Sequence, residues 1–429
     1  KLKNKKTLPK KLEDLRHIVL LPCYSEPYEV LREGFENFVN SNYDTQNIKL
    51  AYTIEQKFSK RVLKDLKKIK KELDKDNKIK CMYFVHPFGI PGEMVGVAGA
   101  NRDWGARAMV KQLKKEGENL KNYIFTTLDS DAFVHKHFFA RLTYEYLITK
   151  KRLNHFYETA VHIFDNNTWK VPYMCRVASD TITVALLANW STPNSFLDTG
   201  QMHTFSCYST ALTTAIKADW YDVKIGIDDT FFYWRAYEAL DGDFEGKAFF
   251  TPIHLDAAEG ADYLDSHKSL YKQQLRWGWG VISVPYALKL ILNAKKTNIF
   301  EKISHIWLLI ELFVILRVMA FLLVFGFIIM GFVNKAYTQS IYLYAIPNFL
   351  QIVLTVTTVC ILVPIFLVIK LKKPMPKEWS IYRKLSIFLD IFGVYVNFFT
   401  FGFFPWLEAE TKLMLGLSYK KLHYTAKKR

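Results

Sequence analysis

The sequence lacks the short motifs that mark the commonest nucleotide and metal sites. It contains no G-x-G-x-x-G and no G-x-x-x-x-G-K-[ST] segment, so neither a dinucleotide site nor a P-loop is supported. Cysteine is scarce, with five in 429 residues and no C-x-x-C pair. This spacing gives no metal-binding pattern and is typical of reduced thiols in a domain that faces the cytosol.

Acidic residues are outnumbered, with 41 Asp and Glu against 58 Lys and Arg and a formal net charge of +17. Such an excess suits a nucleic acid, an anionic membrane surface or a phosphorylated substrate. In the basic helical stretch Lys57–Lys80 no aromatic residues alternate with the lysines, which argues against a nucleic acid. Long apolar runs are missing from residues 1–300 and present in 306–407, which favours a membrane.

The first part of the chain alternates short β-type runs with helical stretches, which predicts an α/β fold. Predicted strands cover His17–Leu21, Ile48–Ile54, Lys80–Val85 and a fourth run that starts at Tyr123. The fourth run stops at Asp129 and Asp131. Ligands of open α/β folds bind at the carboxyl ends of strands, and paired carboxylates favour a divalent cation that holds a diphosphate. An ordinary strand-end turn is the alternative.

Later in the chain, two further groups of polar residues are candidates for chemistry. Asp228 and Asp229 precede an aromatic helix, where they fit either helix caps or a general base for an incoming hydroxyl. Gln273, Arg276 and Trp277 fall on one helical face. Their amide, guanidinium and indole suit phosphate oxygens and a sugar ring, and a Trp/Arg belt at a membrane interface is the alternative.

Four segments of the chain, three of them described above, stand in an order that resembles family 2 glycosyltransferases. The resemblance is specifically to the membrane-embedded branch with cellulose, chitin and hyaluronan synthases. The matching segments are Pro22-Cys23-Tyr24-Ser25-Glu26 for P-x-Y-N-E, Asp129-Ser130-Asp131 for D-x-D, Asp228-Asp229 for E-D, and Gln273, Arg276 and Trp277 for Q-x-x-R-W. The resemblance covers roughly residues 17–290. It implies a GT-A type nucleotide-sugar-binding domain with a Rossmann-like mixed sheet, followed by C-terminal interfacial and transmembrane helices.

The resemblance also implies roles for individual residues. The catalytic base is Asp229, the ligands of Mg²⁺ or Mn²⁺ are Asp129 and Asp131, and the acceptor contacts are Trp277 and Asp228. The nucleotide-sugar contacts are Pro22, Tyr24, Glu26, Glu55, Asp129, Gln273 and Arg276. Asn101 and Arg102, at the start of a predicted helix, are further candidates for this binding through a phosphate contact, with helix capping and salt bridges as the alternative.

The chain departs from the family pattern in several places. Glu55 stands where many members have aspartate, and Ser25 replaces the usual Asn. Val95–Val97 lacks a common lysine, so a diphosphate contact is expected at Arg102 or Arg107. Residues 200–208 do not match the acceptor loop of the well-known synthases.

The expected domains are a basic leader (1–16), a catalytic domain (17–277), an interfacial helix (278–300), transmembrane helices (301–411) and a basic tail (412–429). Apolar runs at 306–333 and 341–369 predict two spans. The basic segment 370–384 then lies on the cytoplasmic side with the catalytic domain. The run at 385–407 is either a further span or a re-entrant or interfacial hairpin.

The predicted function is that of a metal-dependent, inverting glycosyltransferase of the plasma membrane with a cytoplasmic catalytic domain. Its expected partners are a nucleotide-diphosphate sugar (a UDP-sugar is favoured), a glycan or lipid-linked acceptor, and the lipid bilayer, with no nucleic acid. Processive polysaccharide synthesis with export is the leading hypothesis, and transfer of a single sugar to a lipid-linked acceptor is the alternative. A non-catalytic membrane subunit or a transporter is less favoured.

Overall fold

A mixed α/β domain occupies the first two thirds of the chain, and helices make up the rest. The structure, a computed structural model, describes residues 5–9, 11–94, 98–191, 204–336 and 340–417. Its strands are β1 Arg16–Cys23, β2 Ile48–Glu55, β3 Lys80–His86, β4 Tyr123–Thr127, β5 Phe133–Val134, β6 His155–Thr159, β7 His162–Ile163, β8 Tyr208–Ala211, β9 Glu245–Phe249 and β10 Ile253–His254. The helices of the first part are α1 Tyr28–Val39, α2 Ser59–Leu73, α3 Ala98–Lys115, α4 Phe138–Ile148, α5 Tyr173–Ser191, α6 Leu212–Lys217, α7 Asp228–Ala239 and α8 Tyr263–Gly278.

The main sheet has seven strands in the order β3-β2-β1-β4-β8-β6-β9. The first four are parallel, β8 runs antiparallel to both β4 and β6, and β9 is parallel to β6. The connections change direction between β1 and β4, which places a crevice at the carboxyl ends of these two strands. The prediction of an α/β fold with a mixed sheet is therefore confirmed.

Two hydrophobic clusters cover the two faces of the sheet. In β1, Ile18 and Leu20 point into one cluster, which contains side chains of α3 and α7, while Val19 and Leu21 point into the other, which contains side chains of α1, α2 and α4. Burial on both faces explains why this strand is a continuous apolar run, because a parallel strand between helical layers has no solvent face. The five cysteines are all free thiols.

The sequence suggested that Pro22 begins the turn after β1. In the structure Pro22 lies inside the strand. Its partner in β2 is Thr53, whereas pairing with β4 stops at Leu20, whose carbonyl accepts a hydrogen bond from the Leu128 N–H at 3.1 Å. In a parallel strand, residues two apart face the same neighbour. The backbone of Pro22 therefore faces the side of β1 on which pairing with β4 has ended. Its missing N–H costs no hydrogen bond between the strands.

A second, three-stranded sheet in the order β5-β10-β7 stands next to the D-x-D segment. β5 starts two residues after Asp131, and β10 pairs with both neighbours through Ile253 and His254. The region between β7 and β8 was ambiguous in the sequence. Its first part forms the helix α5, and residues 192–203, which include part of the predicted acceptor loop, lie outside the described residues.

The C-terminal part consists of α9 Ser283–Asn293, α10 Ile299–Ile310, a π-helical turn Glu311–Ile315, α11 Leu316–Val333, α12 Ile341–Leu371, α13 Ile381–Ser386, α14 Asp390–Phe399 and α15 Phe404–Met414. Within the described residues one helix, at Ala345–Leu371, is long and apolar enough to cross a membrane. Pro347 and Pro364 lie within α12 without ending it. Apolar helices tolerate proline where other groups satisfy the backbone carbonyls that it leaves without a hydrogen bond.

Residues 385–407, for which a further span was one of the open alternatives, do not form one continuous helix. The chain bends between α14 and α15, and both helices return to the α/β domain. A Cβ added at Gly393 of α14 would lie 2.3 Å from the Tyr173 hydroxyl of α5, and one added at Gly278 of α8 would lie 3.0 Å from Trp406 Cα of α15. Residues 385–407 therefore form short helices joined by a bend, and their position relative to a membrane stays a prediction.

The leader is also fixed to the domain where the structure describes it. The hydroxyl of Thr7 accepts a hydrogen bond from the Arg152 guanidinium at 2.8 Å. Arg152 is fully buried. The leader therefore packs on the domain at this point.

Candidate active site

Arg102 joins the two acidic motifs that the sequence places about a hundred residues apart. It projects from α3, is 3% exposed, and donates to Asp129 Oδ1 at 2.5 Å and to Asp228 Oδ2 at 2.7 Å. The close approach depends on Gly99, because a Cβ at this position would lie 2.7 Å from the Cβ of Asp228. The prediction had Arg102 contacting a phosphate, but its guanidinium binds two carboxylates instead.

Glu26 connects the P-x-Y-N-E-like segment to the D-x-D segment. Its carboxylate accepts the main-chain N–H of Tyr24 at 2.7 Å and the hydroxyl of Ser130 at 3.0 Å, and it is buried. The ring of Tyr24 meets Phe58 edge-on, with centroids 4.9 Å apart. The loop after β1 and the loop after β4 therefore form one wall of the crevice.

Asp131 is held by the loop that follows β10. Its Oδ2 accepts the main-chain N–H of Asp256 at 3.3 Å, and its carbonyl accepts the side-chain amide of Asn166 at 3.0 Å. Neither Asp256 nor Asn166 is among the site residues expected from the sequence. A signal for Asp256 was present, because it follows the short strand Ile253–His254 in the same way as Asp129 follows β4.

The carboxylates of Asp129 and Asp131 suit a divalent cation whose remaining ligands come from a bound diphosphate. Among the described residues, no group of three or more His, Cys, Asp or Glu side chains is arranged to hold a metal ion. Asp129 and Asp131 supply carboxylate oxygens, which Mg²⁺ and Mn²⁺ prefer, and such ions are commonly bound by one or two carboxylates plus substrate phosphates. Because carboxylates would repel a bare diphosphate, the site and the cation fit each other.

Asp229 begins α7 together with Asp228 and is the predicted general base. Burial and the neighbouring Asp228 raise its pKa to about 6, while Arg102, the Thr230 N–H and Arg276 act in the opposite direction. The Thr230 N–H donates to its Oδ1 at 2.8 Å. A carboxyl with a pKa near neutrality is ionised at physiological pH and is still a better proton acceptor than an ordinary aspartate.

Helix α8 brings the Q-x-x-R-W residues to the same crevice. Arg276 is close enough to Asp229 to affect its pKa, and the buried Nε of Arg276 has no hydrogen-bond partner within the described residues. Gln273 is partly exposed, and Trp277 packs against the larger core cluster. Of the three, Arg276 is the one whose charge acts on the pKa of Asp229.

Helix α15 fixes the position of α8. The Trp406 indole N–H donates to Gln274 Oε1 at 3.2 Å, and the Tyr271 hydroxyl donates to Glu408 Oε2 at 2.6 Å. Gln274 and Tyr271 lie on the same helix as Arg276, so α15 helps to position the guanidinium.

Two predicted nucleotide contacts are engaged elsewhere. The Asn101 amide donates to the carbonyls of Cys23 and Thr53 at 3.3 and 3.1 Å, so it ties the ends of β1 and β2 together. Arg107, the alternative diphosphate contact, pairs with Asp103 and Asp219 at 2.7 and 2.9 Å. The structure therefore gives both residues a structural role.

Glu55 lies at the end of β2 and holds His86 of β3. His86 Nδ1 is 3.0 Å from Glu55 Oε1, and its Nε2 is 2.9 Å from Glu93 Oε2. Burial lowers the pKa of His86, but the two carboxylates outweigh it and raise the pKa overall. Glu55 thus reaches the crevice edge as part of a three-residue network that the sequence did not reveal.

Comparisons with known proteins give only distant likenesses. No protein-family model matches the chain, and a sequence search of curated proteins finds no match either. Among solved structures, S. aureus TarS 1–349 has 10% identity over 71% of this chain and 74% of that chain, with a TM-score of 0.42. Its complex with UDP-GlcNAc has 10% identity, 72% and 76% coverage, and a TM-score of 0.41.

The mannosyltransferase PcManGT from Pyrobaculum calidifontis, in complex with GDP-Man and Mn²⁺, has 10% identity over 90% of this chain and 87% of that chain, with a TM-score of 0.39. Because these TM-scores and identities are low, the proposals that follow rest on the chain's own residues.

Proposed function

We propose that this chain is a membrane-bound, metal-dependent, inverting glycosyltransferase that moves a sugar from a nucleotide-diphosphate sugar to a growing glycan. The observation that carries the proposal is the convergence on Arg102 of Asp129, from the D-x-D segment, and Asp228, from the second acidic pair. This contact brings the two acidic motifs together, which supports a donor whose diphosphate lies beside Asp229. A protein with no catalytic role has no need to keep these groups together.

The residues support direct displacement at the anomeric carbon. Asp229 accepts the proton of the acceptor hydroxyl, and its pKa of about 6 keeps it ionised near neutral pH. Arg276 offers a positive charge to the leaving diphosphate. A bound Mg²⁺ or Mn²⁺ ion would supply Lewis-acid stabilisation of that charge. One base and one displacement invert the anomeric centre, by analogy with inverting hydrolysis.

The donor's nucleoside is proposed to lie along the wall formed by the loop after β1. Tyr24, with Phe58 against its ring, offers an aromatic surface, and Glu26 and Glu55 lie at the ends of β1 and β2. A UDP-sugar remains the favoured donor.

The C-terminal helices are proposed to hold the enzyme at the plasma membrane, with the catalytic domain in the cytoplasm. The long apolar helix within α12 and the basic segment that follows it support this orientation. Processive synthesis with export is the leading form of the reaction, with a growing glycan as acceptor. Transfer of a single sugar to a lipid-linked acceptor is the alternative.

The test is turnover by the purified full chain in detergent. The protein is incubated with UDP- and GDP-sugars and Mn²⁺ or Mg²⁺, and released nucleotide diphosphate and product length are measured. Asp229→Asn is run beside Asp76→Asn, a control on the exposed surface where the carboxylate pairs with Lys78. Turnover that Asp229→Asn and chelation abolish, and that Asp76→Asn retains, supports the proposal.

The product distinguishes the two forms of the reaction. A long glycan indicates a synthase, and a single added sugar on a lipid indicates the alternative. Absence of turnover with every donor, with wild type and Asp229→Asn behaving alike, would refute the enzyme and favour a non-catalytic subunit.

A further inference from the structure

The segment that leaves α12 is inserted into the α/β domain next to the D-x-D segment. Lys372 is buried and forms an ion pair with Asp180 of α5. The carbonyl of Lys373 accepts the indole N–H of Trp169 at 3.1 Å. The end of the long apolar helix is thus attached to the loop and helix that follow β7.

A chain of hydrogen bonds leads from this segment to Asp131. The ammonium of Lys373 donates to Asn166 Oδ1 at 3.1 Å, and the amide of the same Asn166 donates to the carbonyl of Asp131 at 3.0 Å. Asn166 therefore uses its two ends to connect the helix terminus with the predicted metal-binding residue.

A second contact runs beside the first and limits rotation of the segment. The main-chain N–H of Lys373 donates to Asp165 Oδ2 at 2.8 Å, and Asp165 Oδ1 lies 2.7 Å from Nδ1 of His254. His254 belongs to β10, whose following loop donates to Asp131 Oδ2 from Asp256. Both the carbonyl and the carboxylate of Asp131 are consequently reached from the end of α12.

We propose that Asn166 and Lys373 are positioning residues that hold Asp131. The packing of the end of α12 against the α/β domain thereby affects how tightly the enzyme binds nucleotide diphosphate in the presence of a divalent cation. The inference rests on the proposed function, in which Asp131 binds the metal. In this proposal neither residue contacts the donor. They act through the orientation of the D-x-D segment, and the helix that enters the membrane thereby influences the donor site.

Binding of UDP and GDP by the full chain in detergent tests the effect on the site. Calorimetric titrations are made with Mn²⁺ and with EDTA for wild type, Asn166→Ala, Lys373→Met and Lys373→Arg. The control is Lys370→Met, on the last turn of α12, where the ammonium lies 4.8 Å from the Phe366 ring centroid and is exposed. With Mn²⁺, we expect Asn166→Ala to weaken binding about threefold to tenfold, the usual range for one lost hydrogen bond.

Lys373→Met is expected to weaken binding about threefold, while Lys373→Arg, which keeps a donor, and Lys370→Met bind as wild type does. In EDTA all five proteins should bind alike, and in turnover the donor KM should rise while kcat changes little. Equal Mn²⁺-dependent binding by wild type and Asn166→Ala would overturn the inference, as would equal losses in Lys373→Met and Lys370→Met.

Hydrogen exchange without any nucleotide separates this inference from the proposed function. Peptides that contain residues 128–134 should exchange faster in Asn166→Ala and Lys373→Met than in wild type or Lys370→Met, because the contacts that hold this segment are lost. If wild type binds neither UDP nor GDP, the proposed function fails, and exchange still decides whether the segment is held. Equal exchange in all the variants would overturn the inference itself.

Discussion

Replacing Asp229 with asparagine is expected to stabilise the protein while it abolishes turnover. The carboxylate is ionised at neutral pH although burial and the adjacent Asp228 disfavour its charge. Asparagine has nearly the same shape and no charge, so it removes the cost of a buried negative charge and also the proposed general base. A gain in stability with a loss of function is typical of groups that are held for catalysis.

The size of the gain follows from the pKa of Asp229. Its ordinary value is 3.8, and the structure raises it to about 6. Since a pKa difference of one corresponds to about 1.4 kcal/mol, ionised Asp229 lowers the free energy of unfolding by at most about 3 kcal/mol. Solvent screening of a partly exposed carboxyl reduces this value, and we expect a gain of about 1–3 kcal/mol for Asp229→Asn.

The gain should depend on pH with a definite sign. The pKa of Asp229 is higher in the folded protein than in the unfolded chain, so protonation favours the folded state. Wild type therefore gains stability relative to Asp229→Asn as the pH falls from about 6 towards 3.8. Chemical unfolding in detergent, followed by tryptophan fluorescence at about pH 7.5 and at about pH 4.5, measures the difference.

Asp228→Asn is the matched control, because the neighbouring aspartate has the opposite environment. Its carboxylate is buried and accepts the Arg102 guanidinium at 2.7 Å. Losing this charge-assisted bond should destabilise the protein by about 2 kcal/mol. If Asp229→Asn were as destabilising as Asp228→Asn at pH 7.5, the account of Asp229 as a group under electrostatic strain would be refuted.

Three further outcomes follow from the same site. Arg276→Met should move the acid limb of the pH–turnover profile to higher pH, because Arg276 lowers the pKa of Asp229; an unmoved limb would contradict this contact. Gly99→Ala should destabilise by about 1–3 kcal/mol in an unfolding titration, because its Cβ would crowd Asp228. Gly326→Ala, whose new Cβ has no described atom within 4 Å, should not. Chelation should abolish turnover and added Mn²⁺ should restore it; turnover that persists in EDTA would exclude a required metal.

Local patterns in the sequence were sufficient for the parallel half of the sheet. Three predicted strands lie within the observed ones, which are Arg16–Cys23, Ile48–Glu55 and Lys80–His86. The first two are buried almost along their whole length, and the third, at the sheet edge, is only partly buried. All three contain short apolar runs bounded by turn residues, so their position is largely a local property. The observed ends extend by one or two residues, because pairing with a neighbouring strand continues beyond the apolar run.

The partners of charged side chains could not be predicted in this way. Arg102 was expected near a phosphate, yet its guanidinium lies between Asp129 and Asp228. The sequence shows that an arginine is near a helix start, but only the packing of α3 against α7, which Gly99 permits, decides which acids it meets. The hydrogen bonds of Asn101 and the ion pairs of Arg107 match the alternative of structural roles at this helix start, but their particular partners also depend on packing.

The C-terminal helices contribute more to the site than attachment to a membrane requires. A bidentate pair joins Arg176 of α5 to Asp390 of α14, with distances of 2.5 and 3.0 Å, and both residues are buried. Burying a charged pair costs desolvation energy and adds little net stability, so a helix that served only as an anchor would gain nothing from it. What such a pair does supply is a fixed relative position.

The C-terminal helices contact residues on both sides of the crevice. Trp406 of α15 reaches the helix that carries Arg276, and Lys373 after α12 reaches Asp131 through Asn166. The proposed diphosphate site is therefore held from two directions by the helical part of the chain. If the proposed function holds, the helical and α/β parts would act as one unit, because a displacement of the helices would alter the contacts that hold Arg276 and Asp131.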